Sequence, residues 1–352
     1  MQEGLFAGRL SPLAATAART WTHLTPVHHQ RGSSAAGRPP AAVTVVIPAR
    51  DEAATIGPLL EGLLAQTLPA GEIIVVDAGS TDSTAEIVRG YAGRGVRLLE
   101  IGPGFPGRAR NRGIDEARYD WVALIDAGCV PHTEWLAALD AGRAVLCSEP
   151  GVVWGRCDLA VNTAWEEAQA LVIGPARRRS DQPTPPLIAS SLIHREVWRR
   201  AGRFREDLRA AEDLLFFDAL RQARARETHA LSAGVSWQLA PSVGAFYRRL
   251  RTYSRYHAGC GLWTSWHLRV GLMDLTAVAL VALATQSLLA LPLLGLAVAL
   301  RLVKTVWERK GNVAASPWRL ACLARVGILV ALADLAMWNG LADLALEPLP
   351  PR

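Results

Sequence analysis

Carboxylates that follow apolar runs are the first chemistry legible in this chain. Ile73 to Val76 runs straight into Asp77 and on through Ala-Gly-Ser-Thr-Asp-Ser-Thr. The run reads as a short strand buried on both faces. Asp77 then sits at the strand's carboxyl end, where open α/β sheets bind ligands. An acid there suits a nucleotide base or ribose, which offers hydrogen-bond donors. Gly79 permits a sharp turn, and Asp82 or Ser83 can cap the helix that follows. The plainer reading of the same residues is a strand, a turn and a capped helix. The pattern recurs, however. Upstream, VTVVIPARDE (Val43 to Glu52) is another apolar strand, ending in Pro48-Ala49-Arg50-Asp51-Glu52. Downstream, WVALIDAGCVP carries a third strand that ends at Asp126. Three acids at three strand ends fall on one rim.

The elements that must hold these acids alternate. The segment Ala54 to Gln66 places Ile56, Leu59, Leu60, Leu63 and Leu64 at helical spacing. Strands alternating with helices imply a parallel sheet with right-handed crossovers. One stretch imitates another site. Gly102-Pro103-Gly104-Phe105-Pro106-Gly107 fits G-x-G-x-x-G after an apolar run, Val96 to Ile101. At least two strands precede it, prolines occupy its variable positions, and Arg108-Ala109-Arg110-Asn111-Arg112 follows. A flexible basic loop over a diphosphate explains those arginines better than helix-to-sheet packing does.

With these pieces in order, the chain resembles a family 2 glycosyltransferase with a GT-A nucleotide-sugar-binding domain. The matching motifs are VVIPARDE, VVDAGSTDST, GRARNRGID (Gly107 to Asp115), LIDAGCVP and AAEDLLF (Ala210 to Phe216). The resemblance covers roughly Ala42 to Tyr256. It implies an α/β fold: a Rossmann-like, mostly parallel sheet with flanking helices. By position, Pro48, Arg50 and Glu52 would frame the nucleotide pocket and Asp77 would hold the base, uracil by family habit. Arg110 and Asn111 would lie in the loop lining the donor site. Asp126 would be the first acid of the Asp-x-Asp motif, and Asp213, beside Glu212, the catalytic base. Such enzymes act by displacement at the anomeric carbon: a carboxylate takes the acceptor proton while a nucleoside diphosphate leaves.

The departure from the family lies at Asp126-Ala127-Gly128, where the second acid is missing. Magnesium or manganese would have one carboxylate, Asp126, plus the donor's phosphates. Gly128 could instead let backbone approach those phosphates. Cys129 does not suit a hard cation and reads as a buried structural cysteine.

Composition bounds the rest. The 352 residues suit one large domain or two modest ones, and half are hydrophobic. The net charge is +6, with basic residues concentrated at Arg177 to Arg179, Arg195 to Arg209 and Arg248 to Arg255. Anionic lipid or a diphosphate fits these better than nucleic acid, for which no motif is present. Five scattered cysteines suggest a reducing compartment. The first 41 residues, rich in Ala, Arg, Ser, Gly and Pro, read as a disordered tail, with His28 and His29 solvated. Residues 42–256 read as the transferase domain. A helix is expected at Asn162 to Val172, with Trp165 and Leu171 facing inward, and a strand at Ile188 to Arg195. In Phe246 to Trp263, Arg248, Arg251 and Arg255 form one basic helical face; the family resemblance implies a place near the leaving diphosphate or the membrane surface, and the plainer reading is a solvated face.

Residues 257–272 read as an amphipathic interface segment carrying Trp263, Trp266 and His267, and 273–348 as membrane helices. Leu275 to Leu300 holds no charge and is long enough to cross a bilayer. Leu320 to Leu346 is a second candidate, interrupted by Arg325, Asp334 and Asp343. Nucleotide sugars are cytosolic, so the catalytic domain should face the cytoplasm. A single crossing would then place the basic loop 301–319 outside, against the positive-inside tendency. A re-entrant hairpin near Leu291-Pro292 would return it. The expected protein is a membrane-attached, inverting glycosyltransferase. It would take a nucleoside diphosphate sugar, with a UDP-sugar the first expectation, and act on a lipid-linked or membrane-proximal acceptor. The other reading is a catalytically weak sugar-nucleotide-binding or assembly subunit.

Overall fold

The computed structural model describes residues 39–147, 149–175, 185–263, 265–285 and 290–349. The basic, proline-rich run around Arg177 to Arg179 and nearly all of the N-terminal tail lie outside the described residues. In chain order the elements are β1 (Ala41–Ala49), α1 (Ile56–Leu64), β2 (Ala70–Asp77), α2 (Thr84–Arg89), β3 (Val96–Glu100), α3 (Pro106–Glu116), β4 (Trp121–Leu124), β5 (Cys129–Pro131), α4 (Trp135–Val145) and β6 (Gly151–Ala160). Then follow α5 (Ala164–Ile173), β7 (Ser191–His194), α6 (Arg195–Arg200), α7 (Glu212–Gln222), β8 (Arg226–Gln238), α8 (Val243–Gly259), α9 (Ser265–Ala284), α10 (Ala290–Arg309) and α11 (Leu320–Leu346).

The chain divides into two compact units. Among the described residues, the α/β unit takes 39–158 and 185–238, and the helical unit takes 159–175 and 239–349. The sequence reading runs one domain from 42 to 256. The difference has a packing cause: α5 and α8 bury Leu171, Phe246 and Leu250 in the same core as Val326, Leu329 and Met337 of α11.

The α/β unit is built on one eight-stranded sheet, ordered β3-β2-β1-β4-β7-β6-β8-β5. Strands β3, β2, β1 and β4 pair in parallel, as the alternating pattern requires. β4 pairs antiparallel with β7, β7 with β6, and β5 with β8. The sheet is therefore mixed rather than mostly parallel, because the chain returns beside β4 by a strand running the other way. The central strands are buried on both faces, as their unbroken apolar runs demand: Val45, Ile47 and Val75 lie in one core and Val46, Ile74 and Val76 in the other. The strand expected from Ile188 is shorter, since Ile188–Ser190 forms a 3-10 turn first. Leu171 is buried as expected, but Trp165 points out.

The segment read as a flexible basic loop is instead a helix, α3, packed on the sheet. Pro106 starts it, where its missing N–H costs nothing. Two glycines make the packing possible. A Cβ on Gly113 would lie 2.3 Å from a methyl of Val46, and one on Gly107 would lie 1.9 Å from the carbonyl oxygen of Arg205. Arg108 and Arg112 turn outward, Arg108 to the carbonyls of Ile101 and Pro103 and Arg112 to Glu116. The G-x-G-x-x-G imitation thus does sit between a strand and a helix, but its last glycine admits protein backbone.

Gly107→Ala should therefore destabilise the protein by about 1–3 kcal/mol, the range for overpacking. Gly128→Ala, where a Cβ would meet nothing within 4 Å, should leave stability within about 0.5 kcal/mol. Urea denaturation of the two variants checks the contrast.

Candidate active site

The loops after β1 and β2 are laced together, side chain to backbone. Asp77 is buried and accepts hydrogen bonds from the Ser80 N–H, at 3.2 Å, and from its hydroxyl. Gly79 makes that turn with φ 82°; a side chain there would also press on Pro103. The loop after β1 is pinned to this turn. Asp51 accepts from the N–H of Thr81 at 2.7 Å, and the Glu52 N–H donates to the Thr84 hydroxyl at 2.8 Å. Hydrogen bonds from Thr81 hold the Asp51 carboxyl below the usual carboxylate range. Pro48 is partly buried on β1 opposite Val76, and Arg50 is exposed, reaching the carbonyl of Gly104 at 3.3 Å. Glu52 accepts from the Thr55 hydroxyl at 2.5 Å.

Arg110 is the centre of the second half of the site. It projects from the buried face of α3, with 3% of its surface exposed. One guanidinium nitrogen donates to Asp126 at 2.7 Å, just past the end of β4, and another to Glu212 at 2.6 Å, in the first turn of α7. Phe204 lies beneath the guanidinium at 5.7 Å. Burial by itself would lower the pKa of Arg110, but Asp126 and Glu212 more than reverse that and hold it protonated. Next to Glu212 stands Asp213, whose carboxyl accepts from the Leu214 N–H at 2.8 Å. Its pKa is pushed up to about 7, by burial first and by the Glu212 charge second, with Arg110 opposing. The turn leading into α7 puts Ala211 at φ 72°, a left-handed conformation that a residue with a Cβ adopts at a cost.

Asn111, expected beside the donor, is spent on structure. Its amide donates to the Phe204 carbonyl at 2.9 Å and to Glu206 at 2.8 Å, and its oxygen accepts from Phe204 N–H at 3.0 Å and Trp198 at 3.1 Å. It fastens the segment 198–206 that carries Phe204 under Arg110. That role is written in no motif, because its partners lie about ninety residues away. Arg248, Arg251 and Arg255 lie on α8 in the helical unit. Arg251 forms a bidentate pair with Asp343 and Arg255 binds Glu347, so two of the three are engaged by the end of α11. Arg248 is exposed.

For a divalent cation the α/β unit offers one exposed carboxylate of the cluster, Asp126, its side chain 37% exposed. Among the described residues no three His, Cys, Asp or Glu side chains gather as a metal cage. Open space stands at Gly128, where the second acid of Asp-x-Asp would project. Cys129 is buried, 1% exposed, and its soft sulfur does not suit a hard cation. The residues present fit an ion only if the substrate's phosphates supply most of its shell.

Residues 44–141 match the family model described as glycosyl transferase family 2. The chain carries a family 2 glycosyltransferase domain. Glycosyltransferase AglE of Haloferax volcanii is 36% identical over 99 residues, 27% of this chain and 33% of that protein. The 4,4'-diaponeurosporenoate glycosyltransferase of Staphylococcus aureus is 35% identical over 89 residues, 24% of each. The matches thus span a third or less of these relatives. A mannosyltransferase of Pyrobaculum calidifontis, solved with GDP-mannose and Mn2+, superposes with a TM-score of 0.58 at 22% identity, covering 93% of this chain and 94% of its own. That likeness places the family 2 domain in the GT-A fold. Asp77, Arg110 and Asp126 lie inside the matched span; Glu212 and Asp213 lie beyond it.

Replacing Arg110 with Ala would leave the buried Glu212 without its counter-charge. Breaking such a pair from one side costs about 3–5 kcal/mol. Thermal or urea unfolding of Arg110→Ala should show a loss of that size; a loss below about 1 kcal/mol would mean the pair is not what organises the rim.

Proposed function

We propose that this chain is an inverting glycosyltransferase that moves a sugar from a nucleoside diphosphate sugar to an acceptor hydroxyl while held at a membrane. The observation that carries the reading is the Arg110 bridge, which holds Asp126 and Glu212 at one point of a family 2 domain with Asp213 alongside. Asp77, Pro48, Arg50 and Glu52 frame the nucleoside, with Asp77 accepting from the base. Asp126 faces the diphosphate. A divalent ion held by Asp126 and the donor's phosphate oxygens would neutralise charge on the leaving group. Asp213 takes the proton from the acceptor hydroxyl as its oxygen attacks the anomeric carbon and the bond to the diphosphate breaks. A carboxyl with a pKa near 7 is matched to general-base chemistry, being ionised in half the molecules at neutral pH and basic enough to accept a proton. Glu212 and Arg110 hold its helix turn in place.

Support for membrane attachment comes from the helical unit. The helices spanning 266–284 and Leu320–Leu346 are long and apolar enough to cross a membrane by length and composition. Leu268, Leu272, Leu275 and Val278 each expose 65–68% of their surface to the outside, which water does not favour. An acceptor that is lipid-linked or close to the membrane follows from that attachment.

Asp213→Asn should lower turnover by about a hundredfold to ten-thousandfold while leaving donor affinity nearly intact. In the parent, kcat/KM should fall as pH drops through about 7, because the base is then protonated. The same shift has a stability sign. The folded chain keeps the Asp213 proton between pH 3.8 and about 7, where the unfolded chain has lost it. Stability is therefore withdrawn as pH rises through that window. Asp213→Asn should raise Tm at pH 8 and hardly change it below pH 4. Turnover within twofold of the parent would remove Asp213 from the chemistry.

A further inference from the structure

The long apolar tail does not form the helix its composition suggests. The uncharged run from Leu275 to Leu300 is divided between α9 and α10, each of 20 residues. Pro292 sits in the first turn of α10, where a proline is tolerated. The two helices are joined by a short connection and pack together. Asp274 of α9 meets Arg301 of α10 at 3.9 Å. These residues lie at matching distances from the connection, so α9 and α10 are an antiparallel hairpin.

Charge marks how deep this hairpin can reach. Arg301 also binds Asp334 of α11, and Asp274 accepts from the Trp338 indole at 2.8 Å. Beyond that ring of polar contacts, residues 275–284 and 290–300 carry no ionisable group. Ten or eleven residues of helix rise about 15–17 Å, roughly half of a hydrocarbon core of about 30 Å. Toward the other end stand Arg269, Lys304 and Lys310, with the Lys310 ammonium 3.4 Å from the centre of the exposed Trp307 ring. Aromatic rings beside cations are what a membrane–water boundary selects.

Helix α11 meets the same boundary lengthwise. Its outward residues Ala321, Ala324, Ile328, Ala331, Leu335 and Trp338 recur at three- and four-residue spacing and are all apolar. Its opposite face packs on α5 and α8. A crossing α11 would drag α8 into hydrocarbon together with its Arg251–Asp343 and Arg255–Glu347 pairs, at a high desolvation cost.

We infer that the helical unit is a monotopic anchor: the uncharged runs 275–284 of α9 and 290–300 of α10 enter one leaflet from the same side, and α11 lies along the interface with its apolar stripe inward. The inference rests on the membrane attachment proposed above and adds its geometry. The loop 310–319 then stays on the side from which the protein binds, which also accords with its basic residues.

The test adds the full-length chain to preformed vesicles of phosphatidylcholine and phosphatidylglycerol. The exposed Cys147 of the α/β unit and a second thiol, Ala314→Cys, are labelled with a membrane-impermeant maleimide and located by peptide mapping. The monotopic anchor predicts that both label without detergent. Labelling of Ala314→Cys only after detergent means a crossing and overturns the inference while leaving attachment intact. A chain that does not sediment with vesicles overturns attachment itself. A second variant, Leu283→Glu with Leu296→Glu, alters positions that are 49% and 56% exposed, so folding is preserved. It should weaken vesicle binding by at least about tenfold; unchanged binding also overturns the inference.

Discussion

A buried guanidinium has to be answered by carboxylates, and the answer given to Arg110 organises the candidate site of the α/β unit. An unpaired charge at that depth would cost several kcal/mol. Asp126 and Glu212 supply the compensation from two segments far apart in sequence, the end of β4 and the first turn of α7. One side chain thereby fixes the register of three elements. Burial first, and the charges of Glu212 and Asp126 after it, make Asp213 give up its proton late. The same arrangement that stabilises the fold through Arg110 thus tunes the group proposed as the base.

Much of this was legible in the sequence for a simple reason. A parallel strand buried on both faces writes itself as an unbroken apolar run, and its end is marked by the first polar residue. That is how Asp77 and Asp126 could be placed on one rim. The contacts that join the rim to α7 are nonlocal and leave no periodicity, so Arg110 could be assigned to the site but not to its partners. The misreading of α3 as a loop has the same origin. Arginines argue against helix-to-sheet packing until one sees that Gly107 and Gly113 remove the side chains that would hold the helix away, and that the only inward arginine is neutralised. The antiparallel strands β6 to β8 carry mixed burial, intermediate over the second half of β6, and gave no clean pattern.

In the helical unit, composition identified an apolar tail, but a hydropathy run does not say whether it is one helix or two. The interruption after Ala284 and the polar contacts of Asp274, Arg301 and Asp334 decide that. The basic face of α8 was legible as a face, while its partners Asp343 and Glu347 lie more than ninety residues on. A pattern of charge tells where a helix is polar; it does not tell whether solvent, a phosphate or another helix answers it.

The central claim is that the laced loops around Asp77 and the Arg110 cluster form a nucleoside diphosphate site. Thermal denaturation of the full chain against a panel of nucleoside diphosphates, their sugars, NAD and unphosphorylated nucleosides, each with and without manganese, tests it directly. One nucleoside diphosphate and its sugar should raise Tm by several degrees, about what binding at a hundredfold over Kd confers, with manganese enlarging the shift. NAD and the bare nucleosides should leave Tm unchanged. A panel in which no nucleoside diphosphate stabilises the chain, with or without the metal, would contradict the account.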